Sequence, residues 1–133
     1  ALGWELHAEF GLNLAVLHLG AMMSPAADAS VPEIHAGLDE TSAMLALAPQ
    51  LVQRKRLRDL RPPPDGKGSR KLILDPAVSW PWSSGDPRIA RLGVIGDARQ
   101  ASEKHGKAIV KRVVEDAGEV LRQLRDNQKI GKR

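Results

Sequence analysis

The chain has 133 residues, 42% hydrophobic and 27% charged, which are values of a folded domain rather than a disordered segment. It contains no cysteine, which excludes disulfide frameworks, thiolate metal sites and thiol nucleophiles and suits a reducing, cytoplasmic setting. A net charge of +4 is a weak argument for nucleic acid, because aromatic residues make up only 3% and a protein that stacks bases carries more.

Leu2, Leu6 and Phe10 recur at a spacing of four, which predicts an opening helix ended by Gly11. Acidic residues and the lack of a basic n-region set this start apart from a signal peptide. Leu12–Leu19 (LNLAVLHL) is a nearly continuous apolar run. It predicts a buried strand of a parallel sheet and is far too short to span a bilayer. His18 inside it reads as a satisfied core or strand-end histidine. Helix, glycine and buried strand together make the second half of a βαβ unit. Residues 20–34 form a long, aperiodic loop of the kind that often carries function. Met22 and Met23 in it either line a pocket or simply pack.

From Asp39 the pattern is helical through Ala43, Met44 and Leu47, and Pro49 ends or kinks that helix. Arg54–Lys71 holds eight basic residues, two acidic residues and three consecutive prolines, a basic surface loop. Lys71–Asp75 (KLILD) is a weak edge strand, and Trp80–Gly93 is a loop in which Trp80 and Trp82 flank Pro81. The last third carries one apolar stripe, Val110, Val113, Val114, Ala117, Val120, Leu121 and Leu124, of a helix running to about Gln128. Asp97, with Gln100 three residues on, has the capping-box pattern for its start. The order is α/β in character but short of strands for a stable sheet.

His35 and Glu40 are the candidate chemical pair. Gly37 permits a tight turn between them, and Glu40 falls in a first helical turn, where the macrodipole favours a carboxylate. An imidazole and a carboxylate at one helix mouth can move a proton. The same residues also suit an ordinary helix start.

The stretch HAGLDETSAMLALAPQLV resembles the HAGxxETSxML…PxLV signature of the creatininase (creatinine amidohydrolase) family, through His35, Ala36, Gly37, Glu40, Thr41, Ser42, Met44, Leu45, Pro49, Leu51 and Val52. A second block, GVIGDARQASEKHGKAI (Gly93–Ile109), is similar to that family's Gly-x-x-Gly-Asp block before a terminal helix. The resemblance implies an α/β, creatininase-like three-layer fold with a mostly parallel central sheet, residues 1–133 being the C-terminal portion of one domain. It implies a metal-dependent hydrolase with two divalent ions, zinc or manganese, and a bridging water. The substrate would be a cyclic amide, a formamide or an oxidised cyclitol or sugar-like ring.

On this resemblance His35 is the proton shuttle or transition-state hydrogen bonder and Glu40 its partner or a substrate-orienting carboxylate. From the residues themselves, Trp80 and Trp82 either form an apolar flap over a substrate ring or anchor their Pro-containing loop to the surface, and Met23 is the further candidate for lining the substrate. The family's N-terminal ligands have no counterpart here, and His7 and His18 lack suitably spaced company, so the metals are expected on residues outside this chain. The expected partners are a separate N-terminal-half polypeptide, further subunits of a higher oligomer and a small-molecule substrate, without membrane or nucleic acid. Two alternatives stay open: a non-catalytic stabilising subunit, and a basic nucleic-acid-binding module using Arg54–Lys71.

Overall fold

The computed structural model describes residues 2–12, 14–23, 33–60, 81, 83–87 and 92–130. Their helices are α1 (Leu2–Phe10), α2 (Leu19–Met23), α3 (Leu38–Leu47) and α4 (Glu103–Ile130), with single 3-10 segments at Pro49–Leu51, Arg54–Asp59 and Ala98–Gln100. None of these helices is long and apolar enough to cross a membrane.

α1 ends as its sequence predicts. Gly11 takes φ +64°, a left-handed conformation that glycine adopts without a Cβ penalty, and its N–H donates to the His7 carbonyl at 2.8 Å. The His7 ring closes the same turn on the Leu12 carbonyl, with Nδ1 at 2.8 Å.

The expected strand at Leu12–Leu19 is not formed. Leu12 and residues 14–18 are irregular, Leu19 already opens α2, and the side chains face water, with Val16 74% and Leu19 56% exposed. His18 is likewise exposed rather than buried, and its carbonyl accepts the Met22 N–H in α2. The physical reason is that a strand needs a neighbour to satisfy its backbone groups. Among the described residues there is no strand, only an isolated antiparallel bridge between His35 and Ile95. Neither the central sheet nor its parallel order is therefore seen there. Lys71–Asp75 lies outside the described residues, as do Trp80, Trp82 and the 61–71 part of the basic loop. The described part of that loop, Arg54–Asp59, is an exposed 3-10 segment with Leu57 half-buried.

The core lies where α3 crosses the start of α4. Ser42, Ala43 and Leu45 of α3 are buried with Ile95, Ala98 and Ile109. Gly106 makes the crossing possible. A Cβ on it would sit 1.8 Å from the Ser42 carbonyl oxygen and 2.9 Å from the Ala46 Cβ. The buried Ser42 hydroxyl accepts the Ser102 N–H at 3.1 Å, tying the two helix starts together. Ser102 in turn caps α4, its Oγ accepting the His105 N–H at 3.2 Å. This corrects the capping reading. Asp97 caps only the 3-10 segment, accepting the Arg99 N–H, and the long helix starts at Glu103. The outer face of α4 is solvated and carries the ion pairs Glu103–Lys107, Lys111–Glu115 and Glu119–Arg122.

Candidate functional site

The two sequence blocks meet at one turn. His35 and Ile95 exchange backbone hydrogen bonds, His35 N–H to the Ile95 carbonyl at 3.0 Å and Ile95 N–H to the His35 carbonyl at 2.8 Å. The Ile34 N–H joins the same Ile95 carbonyl at 2.8 Å. Residues some 60 positions apart in the chain are thus fixed side by side, and the half-buried His35 lies at their junction.

The next residue, Ala36, has φ +53°. That left-handed conformation costs a non-glycine residue roughly 1 kcal/mol, so it persists only where neighbours over-determine it. Here they do. The Glu40 carboxylate accepts the Ala36 N–H, and the Thr41 hydroxyl donates to the Ala36 carbonyl at 3.1 Å. The Glu and Thr of the HAGxxET pattern therefore clamp the peptide next to the histidine from both sides. Both predicted catalytic residues, His35 and Glu40, are brought to this turn.

Glu33 completes the clamp, and sequence reasoning missed it. Its Oε2 accepts the Leu38 N–H at 2.6 Å and its Oε1 accepts the Asp97 N–H at 2.9 Å. Two buried glycines make room for that carboxylate. A Cβ on Gly37 would fall 1.7 Å from Glu33 Oε2, and one on Gly96 would fall 2.6 Å from the same atom. The paired glycines were the available signal, since each block carries one at the point of contact. Glu33, Asp39 and Glu40 all sit around the start of α3, where the unpaired helix N–H groups and the macrodipole favour carboxylates.

Two further pairs frame the turn. Asp39 Oδ1 meets His105 Nε2 at 2.7 Å, joining the first turns of α3 and α4. Asp97 is gripped by Arg99 through Nε at 2.8 Å and a terminal nitrogen at 2.6 Å, and the guanidinium holds its carboxyl below the usual carboxylate value. Met23, expected to line the substrate, is on a different element from this turn. It ends α2, and the Arg112 guanidinium of α4 donates to its carbonyl. Arg112 is roughly 15 Å further along the helix axis than Ser102.

A family model described as Creatininase, creatinine amidohydrolase, matches residues 5–121. The chain belongs to the creatininase family. No curated protein and no solved structure gives a significant match to it. Creatininase-family proteins are metal-dependent hydrolases of the amidohydrolase type, and that is the class of this chain. Among the described residues no group of three or more His, Cys, Asp or Glu side chains is placed to hold a metal ion. The described residues of this creatininase-family chain therefore do not by themselves build a metal centre.

Proposed function

We propose that this chain supplies the proton-handling side of a hydrolase cleft for a compact amide-like substrate: a cyclic amide, a formamide or an oxidised cyclitol or sugar-like ring. The single observation carrying this reading is the over-determined turn at Ala36, immediately beside a titratable histidine. Backbone strain held by two side chains is what pre-organised functional turns require. Cleavage of an amide delivers a proton to the leaving nitrogen, and imidazole can carry that proton near neutral pH. His35 takes this role. Glu40 acts as its partner, with Oε2 holding the Ala36 peptide and Oε1 left to orient the imidazole or the substrate. Trp80, Trp82 and Met23 are assigned to the substrate. The divalent ions, zinc or manganese, belong in this reading to residues outside this chain.

The reading also needs a partner polypeptide, the N-terminal half of the same fold, within a higher cytoplasmic oligomer. The exposed Leu12, Leu14, Val16, Leu17 and Leu19 support it, because clustered exposed apolar surface marks an interaction face. A second reading, a non-catalytic stabilising subunit, is favoured by one fact: Glu40 spends an oxygen on backbone, as a purely structural carboxylate would.

Replacement of His35 separates the two. In the native assembly, assayed against creatinine, other cyclic amides, formamides and oxidised cyclitols, His35→Ala is expected to lower kcat by about 10²- to 10⁴-fold, the usual worth of a general acid or base. Unchanged turnover would leave the stabilising role.

A further inference from the structure

We propose that Glu33 is a positioning residue for His35, acting through the backbone rather than on the substrate; this rests on His35 being the proton carrier. Its carboxylate spans the bridged pair. One oxygen takes the Leu38 N–H, three residues after His35, and the other takes the Asp97 N–H, two residues after Ile95. The His35–Ile95 bridge fixes the main chain on one side of the turn, and Glu33 fixes it on the other. His35 is held between these two fastenings. With either one lost, the imidazole keeps its chemistry but not its aim.

The glycines give the proposal a steric counterpart. Gly37 has φ −82°, which alanine also adopts, so its need for glycine comes from space and not from backbone conformation. That space is filled by Glu33 Oε2. Gly37→Ala would expel the carboxylate and should mimic the loss of Glu33.

Chemistry supplies the sharper variant. Both carboxylate oxygens accept, each from a different peptide N–H. An amide offers one acceptor and one donor, so Glu33→Gln sets an NH2 against an N–H at one end while keeping size and shape. The readouts are mass-spectrometric: hydrogen exchange of backbone amides and of each histidine C2–H in the native assembly. The proposal expects exchange at the Leu38 or Asp97 amide to rise about tenfold, the loss of roughly one net hydrogen bond. It expects the His35 ring exchange to shift while His7 and His18 keep their wild-type rates. Glu33→Asp, which retains the charge on a shorter reach, should fall between.

Should Glu33→Gln unfold the turn altogether, Gly37→Ala is read alone and in a Glu33→Ala background. Coupled, less-than-additive effects on His35 ring exchange support the proposal, and fully additive effects overturn it. A Glu33→Gln protein whose amides lose protection but whose His35 ring exchange is unchanged would make Glu33 a strut and overturn the proposal. If His35→Ala leaves turnover intact while Glu33→Gln still moves the His35 ring, the proton-carrier reading fails and the positional link survives.

Discussion

Replacing Gly106 with alanine tests the helix crossing on which the whole turn is built. In an isolated helix the change would help by about 1 kcal/mol, because glycine is a poor helix former. Here the new methyl would lie 1.8 Å from the Ser42 carbonyl oxygen, 2.4 Å from its carbon and 2.9 Å from the Ala46 Cβ, whereas ordinary contact begins near 3.4 Å. Two of those atoms are backbone, so no side chain can swing aside. The helices must part by roughly 1.5 Å, an overpacking that costs about 1–3 kcal/mol. Parting them also takes the Ser102 N–H from the buried Ser42 hydroxyl, and an unmet buried group costs about 1–3 kcal/mol more. Set against the propensity gain, the net loss is about 1–5 kcal/mol. Urea unfolding followed by far-UV circular dichroism measures it. Gly118→Ala is the control: there the methyl meets only the end of the flexible Arg122 side chain at 3.6 Å. It should stabilise by about 0.5–1 kcal/mol. A Gly106→Ala protein as stable as Gly118→Ala would refute the crossing.

Asp97 gives a pH test. Its carboxyl is held low chiefly by the Arg99 side chain, so its stabilisation is present above the ordinary value of 3.8 and is lost as pH falls through the lower folded value. Arg99→Ala should return Asp97 toward 3.8 in an NMR titration and flatten the acid-induced loss of stability below that pH; an unmoved Asp97 would contradict the pairing. The exposed Leu12, Leu14, Val16, Leu17 and Leu19, with the exposed Trp4 and Phe10, predict that the purified chain alone self-associates. Analytical ultracentrifugation should find concentration-dependent oligomers, and a monomer that melts cooperatively would count against an uncovered apolar surface.

Local signals in the sequence were reliable where the physics is local. The spacing of four through Leu6 and Phe10 with Gly11 gave α1 and its end, and Pro49 stopped α3 after Leu47. The stripe from Val110 to Leu124 gave α4, although Val114 and Leu121 are 64% exposed, so that stripe is only partly covered. Non-local features were not legible. Apolarity at Leu12–Leu19 marks residues that favour burial, but pairing decides whether they form a strand. The Asp97–Gln100 spacing fits a capping box, yet Ser102 caps α4 because its N–H and hydroxyl both lie at the crossing with α3. Glu33 is two residues before His35 and 64 before Asp97, and nothing in its neighbours reveals a contact at that range. The HAGxxET pattern drew attention to the turn before α3; the structure adds what its Glu and Thr do to Ala36.

The account stands on His35 facing substrate at this turn. A structure of the native assembly with creatinine or another cyclic amide bound would measure that directly. The expected result is a His35 ring nitrogen within about 3 Å of the scissile nitrogen or a single water from it. A ligand seated elsewhere, with the imidazole turned to bulk solvent or into the α3–α4 packing, would contradict the account.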